Sequence, residues 1–210
     1  MEPLTLILTI SVINLLAVVS PGPDFVMAVR NSLTYSRRTG IYTAVGFGLG
    51  IATHIAYCLA GLAIIISQSI LLFNAIKILG AGYLIYIGLK SIFSKSSKIN
   101  IEGHAKKPDI SPWKAIKIGY LTNVLNPKAT VFYLGLFTLV ISPGTPPLVL
   151  AVASAIMVAT IMAWFSLVAI FMTNKHIRAV YERFQKAINR TLGGFLVLLG
   201  LKIAVSGEKG

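Results

Sequence analysis

Gly82 to Lys90 reads GYLIYIGLK and Gly194 to Lys202 reads GFLVLLGLK, an ungapped match with five identities in nine positions at an offset of 112 residues. A duplicated unit constrains everything around it, so the segments that precede the two copies should correspond as well. They share one unusual feature. Each half opens on a long apolar segment interrupted by a helix-breaking proline, Ser20-Pro21 in the first and Asn126-Pro127 in the second.

The medium in which the repeat folds follows from composition. Of the 210 residues 56% are hydrophobic and 12% charged, and the mean hydropathy is +0.81, so most of the chain cannot face water. Uncharged runs cover 3–23, 40–76, 118–127 and 129–174. Several are long enough to cross the ~30 Å hydrocarbon layer, which takes roughly 20 helical residues. A soluble enzyme, a nucleic-acid module and a disordered tail are excluded together, despite 19 basic against 6 acidic residues. A single cysteine, Cys58, excludes a disulfide framework, a cysteine zinc site and a paired-thiol relay.

The expected fold is an all-α integral membrane protein of six transmembrane helices, arranged as a 3+3 inverted repeat with broken first and fourth helices. The spans are read at about 4–33 (broken at 20–23), 41–66, 70–94, 113–141 (broken at 126–127), 148–173 and 191–206. The whole chain, 1–210, is one transporter domain: repeat 1 at about 1–94, a cytoplasmic loop at about 95–112 and repeat 2 at about 113–206. Glu2 stands where a signal peptide carries basic residues, so the first apolar segment is read as a retained span.

Orientation comes from lysine and arginine, which are held on the cytoplasmic side. Arg30 at the end of span one and Arg37 and Arg38 after it make one group; Lys90, Lys95, Lys98, Lys106, Lys107, Lys114 and Lys117 flank the loop after span three; Lys175, Arg178, Arg183, Lys186 and Arg190 follow span five. These are fifteen of the nineteen basic residues, and alternate loops carry them all. Both termini should lie outside. Three spans per half is an odd number, so the halves run in opposite directions. Secondary transporters use this plan, with a substrate site between the halves.

The breaks carry the chemistry. Serine or asparagine followed by proline marks an N-cap before a first helical residue that needs no amide partner. Each break should therefore restart a half-helix inside the membrane, with free amides and a positive dipole end suited to a carboxylate. A proline kink tolerated without function is the competing reading for either break alone. Beside the breaks stand Asp24, the acidic residue within a predicted span, and Lys128, about 16 Å along the helix from Lys117. Charges at that depth cost at least ~2.5 kcal/mol each if unpaired. Asp24 is either a substrate and proton site or a carboxylate that favours the half-helix dipole; Lys128 is either a substrate contact or a structural partner of Asp24 or of an N-cap neighbour. His54, at mid-span in helix two, has the chemistry to exchange protons, but the balance favours a hydrogen bond between helices. Gly46, Gly48 and Gly50 lie inside a span and read as packing glycines. Ala151, Ala155, Ala159 and Ala163 form a small-residue seam expected to pack closely on helix five.

Ser20-Pro21-Gly22-Pro23, Arg37-Arg38-Thr39-Gly40-Ile41, Gly46 to Gly50 with His54, and Gly61-Leu62-Ala63 resemble the first-half signature of LysE/RhtB-type amino-acid exporters. Asn126-Pro127-Lys128 resembles their second-half signature, and the likeness extends over essentially the whole chain. The resemblance implies efflux of amino acids or close derivatives from the bacterial cytoplasm, driven by an ion gradient. Distant relatives in the wider superfamily move electrons or metal ions. This chain lacks intramembrane cysteine pairs, and one aspartate is a thin ligand set for a divalent cation.

The expectation is an inner-membrane antiporter, not an enzyme, that exports small neutral amino acids against protons. The alternative is a divalent-cation exporter of the same plan. Substrate binding is assigned to Ser20, Pro21, Gly22, Pro23, Asp24, Asn123, Asn126, Pro127 and Lys128, and proton coupling to Asp24 and His54. In this scheme Asp24 takes the ammonium group, and the half-helix amides, helped by Lys128, take the carboxylate. No cofactor and no metal is called for. The partners are an amino-acid substrate and membrane lipid, with a homodimer as a candidate assembly and no nucleic acid.

Overall fold

A computed structural model describes residues 2–68, 70–94, 107–140 and 145–205, excepting the side chains of 62–68, 70–74, 76, 77, 139, 140 and 203. Most of the expected loop at 95–112, Lys106 included, and the turn at 142–144 lie outside the described residues. Among the described residues every regular element is a helix: α1 (Pro3–Val19), α2 (Pro23–Thr34), α3 (Arg37–Gln68), α4 (Ile70–Ile92), α5 (Pro112–Val124), α6 (Pro127–Val140), α7 (Pro147–Phe171) and α8 (Lys175–Val205).

Proline opens five of these helices, α1, α2, α5, α6 and α7. At the first helical position its missing N–H removes no hydrogen bond and its fixed φ is already helical. Both expected breaks are present, but they are built differently. At the second, Asn126 caps α6 as anticipated, its Oδ1 accepting from the Lys128 amide at 3.0 Å. At the first, Ser20 terminates α1 by donating its own amide to Leu16 O, and α2 restarts only at Pro23 after an extended Gly22. Ser20 is therefore a C-cap, because Pro21-Gly22-Pro23 delays the restart. The two pieces meet at 57°.

The expected short final helix begins earlier than its apolar segment. α8 runs unbroken for 31 residues from Lys175, capped by Asn174 Oδ1, which accepts from the amides of His176 and Ile177 at 2.9 and 3.4 Å. Charge ends a membrane-spanning segment without ending a helix, and 175–190 carries good helix formers and no proline.

α3 and α7 cross at the centre through Phe47, Ile51, Met157, Ile161 and Phe165, all at most 2% exposed. Phe47 meets Phe165 edge to face at 5.0 Å. The outside is equally apolar: Leu4, Leu8, Val12 and Leu15 on α1, Leu148 and Phe171 on α7, and Leu198 and Leu201 on α8 are exposed. Such a surface is what a bilayer covers. By length and composition, Arg37–Gly61 of α3 and the whole of α7 are each able to cross a membrane at 25 residues, and the α1–α2 pair is apolar enough for a third crossing if its two bent pieces act as one span.

Glycines set the closest helix approaches. A Cβ on Gly46 would lie 2.1 Å from Ile116 O of α5, and one on Gly119 the same distance from Thr43 O of α3. A Cβ on Gly88 would lie 2.6 Å from Gly193 O, and one on Gly193 2.6 Å from Gly88 O, so α4 and α8 touch backbone to backbone. The alanine seam of α7 does not behave as expected. Ala151, Ala155, Ala159 and Ala163 face outward, and the buried face is Val149, Ala153, Met157, Ile161 and Phe165. The larger side chains win the interior because they remove more apolar area from contact with the surroundings and fill the crossing with α3.

Three polar corners meet at one end of the molecule. Ser36 and Thr39 donate to the two Asp109 carboxylate oxygens at 2.9 and 3.0 Å, Arg37 Nε donates to Thr173 Oγ1 at 2.6 Å, and the Lys107 amide donates to Thr34 O at 2.8 Å.

Candidate functional site

α2 and α6 both start in the middle of the helix bundle, so their first turns place side chains where continuous helices would place only backbone. Asp24 is the second residue of α2 and is 8% exposed. Ten residues of helix separate it from Thr34, about 15 Å of depth from the polar end. Its carboxylate accepts from Asn123 Nδ2 at 2.7 Å and from Asn126 Nδ2 at 3.2 Å. Both donors come from the opposite break: Asn123 from the last turn of α5, Asn126 from the cap of α6.

The reciprocal contact runs the other way. Lys128, in the first turn of α6, donates from Nζ to Ser20 O at 2.6 Å and to Ala17 O at 3.4 Å. Those carbonyls end α1, where helix carbonyls lack intrahelical donors and the dipole is negative. The lysine side chain reaches them by passing over Gly22, where a Cβ would sit 3.3 Å from Lys128 Cδ. A larger residue at 22 would displace the lysine stem. The carboxylate of one half is thus held by amides of the other, and the ammonium of the second half by carbonyls of the first.

Ser20, Gly22, Asp24, Asn123, Asn126 and Lys128 line one cavity of about 40 Å³, so the structure gathers these six expected site residues. Pro21, Pro23 and Pro127 shape the breaks without lining the cavity. His54 lies one shell away. Its Nε2 is 3.1 Å from Asn123 O, its Nδ1 contacts the Tyr57 hydroxyl, and its ring stacks on Tyr133 at 5.9 Å. It bridges α3 to α5, the role that the balance favoured.

The apolar walls were not legible in the sequence. Phe25, Ile51, Phe132, Tyr133, Ile161 and Phe165 close the cavity. Tyr133 is buried and donates to Asn14 Oδ1 at 2.8 Å, tying α6 to α1. Asn14 offered a signal, as the one carboxamide in 3–19. Three buried polar atoms around this region have no hydrogen-bond partner: Ser20 Oγ, Asn123 Oδ1 and Asn14 Nδ2. Buried polar groups are nearly always paired, and two of these three belong to residues that line the cavity, Ser20 and Asn123. Asn123 turns its Nδ2 to Asp24 and its Oδ1 toward Gly50 of α3, where an added Cβ would lie 2.5 Å from that oxygen, so the Asp24 carboxylate is the anionic acceptor that the cavity offers to a cation. Ser20 Oγ offers a hydroxyl to either charge.

Broken helices, a charged cavity at their ends and an apolar exterior define a membrane transporter. The sequence pattern of the LysE type translocator family matches residues 15–207, and the chain belongs to that family, which makes it a transporter rather than an enzyme. It is 31% identical over 196 residues to the uncharacterized membrane protein YrhP of Bacillus subtilis, covering 90% of this chain and 93% of that one. It is 26% identical over 204 residues to the threonine efflux protein of Escherichia coli K12, covering 97% and 99%. The threonine efflux protein of Salmonella typhi is 24% identical over 204 residues. No solved structure matches the chain.

Proposed function

We propose that the protein exports small neutral amino acids or close derivatives from the bacterial cytoplasm by proton antiport. Efflux of amino acids is the reading supported by relatives named for threonine efflux at nearly full coverage. The observation that carries the mechanism is the buried Asp24 carboxylate at the break of one half, held by two carboxamides from the break of the other. A zwitterion needs an anionic and a cationic partner. Asp24 receives the ammonium group, and the substrate carboxylate replaces the α1 carbonyls as the partner of Lys128.

The cavity has room for a few water molecules, fewer heavy atoms than an amino acid, so the walls move apart when substrate enters. Protonation of Asp24 from outside removes the charge that holds the ammonium group and releases the substrate. Return of the proton to the cytoplasm resets the carrier. Exchange of one ligand for the other at a single carboxylate is the simplest coupling available.

Six spans as a single-domain 3+3 inverted repeat, with both termini outside, complete the proposal. Supporting the repeat, the Gly88–Gly193 contact has a counterpart in Gly200 against Ala81 O at 2.8 Å, which is the same contact with each partner shifted to its copy 112 residues away. Supporting the orientation, Arg37, Lys107 and Thr173 meet at one end.

Reconstituted vesicles loaded with labelled threonine provide the test. An imposed proton gradient directed into the cytoplasmic face should accelerate release several-fold over protein-free vesicles. Release indifferent to the gradient would exclude proton coupling, and release no faster than from protein-free vesicles would exclude threonine as substrate.

A further inference from the structure

A second cavity lies outside the translocation site, on the outer surface between α3 and α5. It is a groove of about 500 Å³ walled by Leu49, Ile116 and Tyr120, with Trp113, Lys114 and Lys117 along the first two turns of α5. Its origin is the glycine crossing. Gly46 and Gly119 bring the two backbones into contact, and neither supplies a side chain to fill the wedge that opens beside the crossing.

We propose that this groove binds an anionic phospholipid, with the headgroup phosphate between Lys114 and Lys117 and the upper acyl chain along Leu49, Ile116 and Tyr120. Charge complementarity selects the headgroup. The only charges on the described residues lining the groove are the two lysines. Asp109, nearby in sequence, has both oxygens engaged by Ser36 and Thr39. Lys114 and Lys117 are one helical turn apart, about 4.5 Å along the axis, so one phosphate reaches both.

The apolar wall selects a lipid over a free anion. Trp113 is 77% and Leu49 48% exposed, and Leu121 and Leu125, further along α5 and at its C-cap, are exposed as well, an apolar surface of the kind the acyl region of a bilayer covers. Trp113, next to Lys114 at the headgroup end of the groove, suits the boundary where an amphipathic ring meets both media. Basic residues at an anionic membrane surface each contribute roughly fivefold in affinity. A pair converging on one groove holds a particular lipid where scattered lysines only enrich the leaflet.

Trp113 reports on its own neighbourhood once the other tryptophan is replaced, so the full-length protein carrying Trp164→Phe is reconstituted with brominated phosphatidylglycerol or brominated phosphatidylcholine. Phosphatidylglycerol should quench Trp113 at a mole fraction roughly 25-fold lower than phosphatidylcholine, about fivefold for each lysine. Lys114→Gln with Lys117→Gln should erase that preference, and arginine at both positions should restore it. Quenching by phosphatidylcholine should be unchanged in every variant, which separates loss of the site from loss of the fold. Lys175→Gln with Lys186→Gln, away from the groove, should leave the preference intact. Equal quenching by the two lipids, an equal loss in the Lys175/Lys186 variant, or relief of quenching by soluble glycerol phosphate would each overturn the proposal.

Discussion

Asn123 Nδ2 lies 2.7 Å from the Asp24 carboxylate and joins two residues 99 positions apart, one at the start of a half-helix and the other near the end of the opposing one. The Asn123 Oδ1 accepts no hydrogen bond, while the backbone carbonyl of the same residue meets His54. Asn123 is therefore the point at which the charged site, the free acceptor and the histidine come together.

Asn123→Ala removes both side-chain functions and leaves the backbone carbonyl for His54. A hydrogen bond to a charged group is worth about 1.5–3 kcal/mol. Transport should fall roughly tenfold or more at normal membrane abundance, measured as release of labelled amino acid from loaded vesicles. Wild-type rates would place the substrate elsewhere.

Asp24→Asn keeps the shape and removes charge and titration. If the carboxylate served only the α2 dipole, the cost would be about 0.3–1 kcal/mol of local stability and transport would survive. The expected outcome is loss of net uphill efflux under a proton gradient, with weak downhill exchange retained. Uphill transport by the variant would end the role proposed for Asp24 and move attention to His54.

Lys128→Met strips the donor from the last carbonyls of α1 while preserving the stem over Gly22. Unpaired carbonyls at this depth cost about 1–3 kcal/mol, so the protein should unfold at lower temperature in detergent as well as lose transport. Loss of transport with unchanged thermal stability would mean that the contact to Ser20 O is dispensable for the fold and that the ammonium acts on substrate alone.

Gly88→Val drives a side chain into the Gly193 carbonyl across the α4–α8 contact. Overpacking of this kind costs about 1–3 kcal/mol. Gly82, whose added Cβ would meet nothing within 4 Å, is the control about 1.7 turns away on the same helix. Gly88→Val should lower the midpoint of thermal unfolding and Gly82→Ala should not. Equal effects would argue against close packing of the two helices.

Single cysteines at Lys107 and Arg183 in a Cys58→Ser background test the orientation. Both should resist an impermeant thiol reagent in intact cells and react once the membrane is opened. Labelling from outside would reverse the proposed direction of the termini.

Much of this protein was legible without coordinates, because the relevant properties are local. Apolar length decides that the chain enters a membrane, and proline decides where a helix cannot continue, so the breaks near 20–23 and 126–127 and the charges beside them could be read directly. The direction in which a helix faces could not. α7 is apolar at nearly every position, so its sequence has no periodicity to distinguish the buried Met157 and Phe165 from the outward alanines. Packing volume at the crossing with α3 makes that choice. Nor does sequence spacing reveal that Lys128 spends its charge on α1 carbonyls or that Asp24 is held by Asn123. Those partners lie about half a chain away, and a buried charge takes whichever donors or acceptors the assembled helices bring within 3 Å, a matter decided only when the two halves close on each other.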